Sequence, residues 1–402
     1  MFLPFAALVG NILEFKTTIS SSYIFWMMHW YEPFLLVGLV WGIWRFIKSY
    51  KSKEAFGHPF LIAGLLIIYS AIIALCSGDR GRSFEGFRLT ILPVLFFVLA
   101  VLINFTKEEK NRLLKLYLTV SAVVALWAIV ERFFPAKYWN DLGLIDANLI
   151  FGWGWHGAGG FVQSASFVGG PNQLGSFLLP ALFLVVYGIQ HTDNSKPAHK
   201  TVYCLLSTVI SLAIVLTLSR SAILGMIVGL VVYLLYFNHK KFLIYSVSSM
   251  FIVGLFLIWF FAASESLKNI VTHSGQTGHA TAFTETMAEI KTRATEEPAK
   301  LIFGSGLGTA GPLSIKYGDG FISESWYLQL ALEIGLVGLA LWLCLITVIS
   351  KELLKKNEKG LFLGLLAVSV AAVFLHTWAD NPALSLTLFG IMGSLIGLSP
   401  KR

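Results

Sequence analysis

Twelve apolar stretches, most of them long enough to cross a bilayer, govern what this chain can fold into. They cover about 1–15, 26–47, 58–77, 86–105, 113–134, 174–190, 201–219, 221–237, 241–263, 325–349, 360–378 and 383–398. A spanning helix needs about 20 predominantly apolar residues. Charged residues make up 13% of the 402, about half the share usual in a soluble domain, so these stretches are not the interior of a water-soluble fold. The first stretch is short, with no charged leader and no small-residue cleavage site. It reads as a short or partly inserted helix rather than a cleaved signal. The expected architecture is all-α: a polytopic integral membrane protein, a single transmembrane domain over 1–402, with 11 or 12 transmembrane helices.

Charge orients these spans. Six short connections or ends carry 18 of the 30 cations, from Arg45–Lys53, Lys107–Lys115, Lys196 and Lys200, Lys240 and Lys241, Lys351–Lys359, and Lys401 with Arg402. All six fall on one side of the expected bundle, and the positive-inside rule makes that side cytoplasmic. The net charge of +8 is then a topology signal. No nucleic-acid partner is expected, because no soluble segment pairs a basic stripe with stacking aromatics. Two long connections lie on the opposite side: a first outer loop, 135–173, and a large extracytoplasmic (periplasmic) loop, 264–324. Loops of that length are usually functional. Cys76, Cys204 and Cys344 fall in or beside apolar runs. They form no disulfide framework and no metal signature, and are expected to be small core residues.

Arg220 stands out on this map. It separates the apolar runs 201–219 and 221–237 with almost no loop between them. A cation at a membrane boundary is costly unless hydrated or paired, and it points to an anionic partner. Arg80, Arg82, Arg88, Arg132, Arg293, Glu324, His376 and Asp380 converge on the same outer boundary. Interfacial solvation explains any one of them; together they suggest a cationic outer cavity, since arginine offers fixed, bidentate donors to phosphate oxygens. Ser325, Gln329 and Glu333 recur at four-residue spacing in the tenth segment, so they share one helical stripe. That stripe either glues the bundle through interhelical hydrogen bonds or walls the cavity that Arg220 borders. Gly304–Gly308 follows no strand and lacks a Gly-Lys-Ser/Thr, so it is not a nucleotide-phosphate loop.

Four segments carry a family resemblance. Thr217-Leu-Ser-Arg-Ser-Ala222 and Glu324-Ser-Trp-Tyr-Leu-Gln-Leu-Ala-Leu-Glu-Ile-Gly-Leu-Val-Gly338 resemble patterns of the O-antigen ligase/O-antigen polymerase superfamily of bacterial membrane glycan transferases. Phe303-Gly-Ser-Gly-Leu-Gly308 and Phe167-Val-Gly-Gly-Pro-Asn-Gln-Leu-Gly175 are similar to two more, and Arg293 stands where that family often has an arginine. The resemblance implies a GT-C-like membrane glycosyltransferase working at the outer, periplasmic face of the bacterial cytoplasmic (inner) membrane. The implied donor is a glycan on undecaprenyl diphosphate. The acceptor is another lipid-linked glycan in polymerases and the lipid A core in ligases. No cofactor and no metal is implied, and a chain-length regulator protein is a further expected partner.

Catalysis is then expected from Glu324 and Arg220, diphosphate binding from Arg220, Arg293 and Arg88, and cavity lining from Ser325, Gln329 and Glu333. Ligases typically have His where this chain has Glu324, and polymerase-like members often have an acid there. The expected activity is thus polymerisation of lipid-linked oligosaccharides in polysaccharide biosynthesis for the cell envelope. The alternatives are an O-antigen ligase and a lipid-linked glycan transporter or flippase.

Overall fold

The structure is a computed structural model and describes residues 31–50, 57–134, 164–191, 197–237, 276–318, 322–379 and 381–397. The apolar segments 1–15 and 241–263, residues 135–163 of the first outer loop, residues 264–275 of the large loop, and Asp380 lie outside the described residues. So does the side chain of Arg132.

Among the described residues all regular structure is helical. Five of the described helices are long and apolar enough to cross a membrane: His58–Cys76, Arg80–Ile103, Lys107–Val130, Pro171–Ile189 and Gly335–Lys355. Four shorter apolar helices accompany them: Lys200–Leu216, Arg220–Tyr236, Lys359–Ala371 and Pro382–Ile396. The helices are numbered in chain order. Those before the large loop are α1 (Tyr31–Tyr50), α2 (His58–Cys76), α3 (Arg80–Ile103), α4 (Lys107–Val130), α5 (Pro171–His191), α6 (Pro197–Leu216) and α7 (Arg220–Phe237). Then come α8 (Gln276–Glu296), α9 (Pro298–Phe303), α10 (Pro312–Lys316), α11 (Trp326–Glu333), α12 (Gly335–Lys355), α13 (Lys359–Ala371) and α14 (Pro382–Ile396).

Local chemistry sets several boundaries. Asp79 caps α3 by accepting the Arg82 N–H, and Asn104 ends that helix in the left-handed region at φ 52°. Thr106 and Glu109 close a capping box at the start of α4, which satisfies two of its orphan amides. Asn381 accepts the Leu384 N–H, with Pro382 in the first turn of α14.

The bundle packs α14 on α3, and α13 on both α5 and α7. Small residues allow these approaches, as expected where helix association depends on close packing. A Cβ on Gly393 would lie 2.9 Å from the Ala100 Cβ, and one on Gly364 would lie 2.6 Å from the Pro180 Cα. Trp326, Trp342, Trp378 and Phe389 form a buried aromatic cluster, with neighbouring ring centroids 5.3–5.9 Å apart. The three cysteines are exposed on helix faces, which corrects the expectation of core thiols. Outward faces in a membrane are as apolar as the interior, so hydropathy does not separate the two.

Helix ends gather into two sets, one of which carries the basic stretches Lys107–Lys115 and Lys351–Lys359. At the basic end, Lys356 Nζ donates to the carbonyls of Leu395 and Ile396, and Tyr187 donates to Asn357 O. At the other end, Arg82 and Ser83 of α3 reach the carbonyls of Gly308 and Leu307, and Asn381 donates to Gln173 O.

The tenth segment is not one continuous span. It divides at Glu333–Gly335, where Gly335 has φ 70°. A side chain there would overlap the Ile302 carbonyl and lie 2.5 Å from the Gly304 N. Glu333 therefore ends a short helix ahead of the span Gly335–Lys355, rather than lying two turns inside one. The eleventh segment likewise stops being helical at Ala371, short of 378. The Trp326 N–H reaches the carbonyls of Ala372 and Leu375, at 3.1 and 3.2 Å. This bonding lets an irregular backbone persist beside a membrane boundary.

Candidate functional site

The glycine-rich turn that follows α9 organises the non-basic end. Gly304, Gly306, Gly308 and Gly311 all adopt positive φ, between 77° and 110°. This conformation suits glycine and strains other residues. The turn delivers two amides to the end of α11: Ser305 N to Leu332 O and Gly306 N to Glu333 O, both at 3.0 Å. These carbonyls would otherwise be orphans of a helix terminus. The motif is thus a cap for α11, consistent with its lack of nucleotide-loop features.

Arg293 serves the same junction. It lies in the last turns of α8 and is 8% exposed. Its Nε donates to Glu289 at 2.7 Å, and Nη1 donates to Ser305 Oγ at 2.6 Å and to Leu332 O at 3.0 Å. A cation at the C-terminal end of α11 is also favoured by the helix dipole. The geometry makes Arg293 a brace between α8, the glycine turn and α11. Arg293→Ala is accordingly expected to lower the thermal unfolding midpoint along with any activity. The loss should be about 2 kcal/mol, because charged hydrogen bonds to buried groups vanish; an unchanged midpoint by tryptophan fluorescence would remove the bracing role.

A buried polar chain runs through α11. The Glu333 carboxyl is fully buried. Its Oε1 accepts from Ala310 N at 3.2 Å and from Gln329 Nε2 at 3.1 Å. Gln329 Oε1 lies 2.7 Å from His376 Nδ1. Since the Gln329 amide donates to Glu333, its oxygen faces the imidazole, so His376 Nδ1 carries the hydrogen. In the neutral ring Nε2 is then the acceptor. Gly311 makes room for this amide: a Cβ there would lie 2.6 Å from the Gln329 oxygen. The four-residue stripe is real for Gln329 and Glu333, and Ser325 precedes it as the buried N-cap position of α11. Gln329 and Glu333 are interior hydrogen-bonding groups rather than the wall of an open cavity.

Glu324 stands just before this helix, half-buried, with φ 55°. A left-handed glutamate is uncommon, and such positions cluster at functional sites.

Arg220, like Arg80 at the start of α3, opens a helix, whereas Arg82 and Arg293 are buried. It is exposed at the first residue of α7. The turn before it is tight: Leu218 has φ 54°, and Ser219 N donates to Thr217 Oγ1 at 3.1 Å. Gly175 of α5 packs on this turn, and a Cβ there would lie 2.6 Å from the Ala222 Cβ. An arginine at a helix N-terminus opposes the helix dipole, so helix stability does not explain it. The side chain and the helix end share one preference, an anion.

Arg88 is half-buried within α3, in the neighbourhood of Glu85. Arg82, one of the boundary cations named from the sequence, is buried, donates from Nε to Gly308 O at 2.7 Å, and lies 5.7 Å from the Tyr317 ring centroid. Glu85 accepts from Lys316 at 2.9 Å and from Tyr317 Oη at 2.9 Å. That hydrogen bond to a carboxylate holds the Tyr317 phenol above its ordinary range. Glu131 gave no such sign in the sequence. It is buried and accepts from Ala165 N at 2.8 Å and Ser166 N at 3.0 Å, anchoring the approach to α5.

The four segments behind the resemblance form two pairs here, linked through His376. Phe167–Gly175 touches the Thr217–Ala222 turn through Gly175. Phe303–Gly308 caps the helix that begins two residues after Glu324. Gln329 of that helix bonds His376, whose ring lines a cavity together with Asn172 and Gln173. Compared with family models and with curated proteins, the chain matches none of the models and none of the proteins.

Proposed function

We propose that this protein is a membrane glycosyltransferase that extends lipid-linked glycans, in the manner of an O-antigen polymerase, at the outer face of a bacterial cytoplasmic membrane. The observation that supports the reading most is that the four motif segments, from distant parts of the chain, pair off and are bridged by His376 at one end of an apolar helical bundle. A lipid diphosphate donor would present its anionic group at such a boundary while its tail stays in the bilayer.

The roles follow from placement. Arg220, an exposed cation backed by the N-terminus of α7, would stabilise the diphosphate as negative charge develops on it. Arg293 and Arg82 would hold the frame, and Arg88 would add positive potential from α3. An acceptor hydroxyl attacks the anomeric carbon and forms the new C–O bond. The anomeric C–O bond to phosphate breaks and its electron pair leaves with the lipid diphosphate. Glu324 either takes the hydroxyl proton or orients the acceptor.

Glu324 is tested by comparing Glu324→Gln with Glu324→His in cells, at matched membrane levels. Shortened glycans in the Gln variant, with partial recovery in the His variant, are expected. An unchanged chain-length profile in both removes Glu324 from the reaction.

A further inference from the structure

A small cavity lies at the non-basic end, between the start of α5 and the turn joining α13 to α14. Its volume is about 50 Å³. It is lined by Asn172, Gln173 and Ser176 on one side and by His376, Thr377 and Asn381 on the other. That space holds one hydroxyl or hydroxymethyl group, or a water or two.

Among the described residues, two of its lining groups have no partner. Ser176 Oγ and Thr377 Oγ1 are buried with no hydrogen bond, in residues only 1% and 4% exposed. A buried hydroxyl left unsatisfied costs about 1–3 kcal/mol. The usual escape for a helical hydroxyl is the carbonyl one turn back, as Thr286 finds at Ala282 O, 2.7 Å away. Ser176, inside α5, makes no such bond. Two separate segments thus bring unsatisfied hydroxyls to one cavity, beside an imidazole whose Nδ1 is already committed to Gln329. Asn381 is held firm, accepting from Leu384 N and donating to Gln173 O.

Among the described residues the lining carries amides, hydroxyls, an imidazole and the side chain of Leu375, with neither a carboxylate nor an arginine or lysine. Such a set suits neutral hydroxyls, which both donate and accept, and is poorly suited to a phosphate, which needs fixed cations. We propose that this cavity is a subsite for an uncharged sugar, taking one hydroxyl or hydroxymethyl group of the acceptor glycan. Only the word acceptor rests on the transferase reading; the preference for a neutral sugar stands on the cavity itself. The division of labour is then spatial: the anion goes to Arg220, and the neutral sugar goes to Ser176, Thr377 and His376.

The test is saturation-transfer NMR on the full chain in lipid nanodiscs prepared without sugar-based detergent. The probes are free glucose, galactose and N-acetylglucosamine, with inorganic pyrophosphate as the charged competitor. Saturation transfer to at least one sugar is expected, undisturbed by pyrophosphate. The Ser176→Val, Thr377→Val pair should weaken binding about tenfold, since two hydrogen bonds are lost. Thr377→Ser, which keeps the hydroxyl, should bind as the wild type does.

Absence of transfer to all three sugars, or full-strength transfer in the valine pair, overturns the proposal and leaves a water-filled cavity. Sugar binding without any glycosidic bond formation would keep the subsite and defeat the transferase reading. Bond formation indifferent to Ser176 and Thr377 would do the reverse.

Discussion

Arg220→Ala is expected to abolish glycan extension while the protein still inserts and folds. The expected fall in turnover is about 100-fold or more, the size seen when one donor to a developing anion is removed. The thermal unfolding midpoint should stay near that of the wild type, because Arg220 is exposed and opens its helix against the dipole. This separates it from Arg293, whose loss should lower stability and activity together. Arg220→Lys keeps the charge but loses the planar fork, so it should recover only part of the rate. Wild-type extension by Arg220→Ala, at matched membrane levels, would leave the diphosphate without its proposed partner.

Gly304→Ala is the substitution expected to damage the fold most. Gly304 has φ 93°, and an added Cβ would overlap the Glu333 carbonyl oxygen and lie 2.6 Å from the Ile334 Cα. Strain and overlap together should cost about 3 kcal/mol or more, because the obstacle is backbone and cannot rotate away. Gly318→Ala is the matched control. Its φ is 80°, but none of the described residues lies within 4 Å of the added carbon, so only the strain remains, about 1 kcal/mol. The two are compared by thermal unfolding of purified protein. Equal midpoints would mean that the glycine turn is not packed against the end of α11.

The physical reach of the sequence differs from element to element. The helices α2 to α5 were legible because a long apolar run with charges only at its ends has few ways to satisfy its backbone except as a spanning helix. The break at Gly335 was not, since hydropathy runs unchanged from 325 to 349 and the break is imposed by the Ile302 carbonyl, more than thirty residues earlier in the chain. The four-residue spacing correctly put Gln329 and Glu333 on one face. It carried no sign that Ala310 and His376 would occupy that face and close it off from solvent.

Charge told a similar story. Arg220 and Arg293 are equally conspicuous in the sequence, and tertiary contacts alone distinguish an exposed cation from a brace. Ser176 and Thr377 gave no signal, because a hydroxyl in an apolar run usually bonds its own helix. Their unsatisfied state exists only in three dimensions.

The central claim is that the site makes glycosidic bonds. Its most direct test is reconstitution of the purified full chain in liposomes with a glycan on undecaprenyl diphosphate, followed by gel separation of the products. The account predicts a ladder of extended glycans, lost with Arg220→Ala. Movement of the lipid-linked glycan between leaflets with no new linkage would contradict it, and would make the protein a transporter.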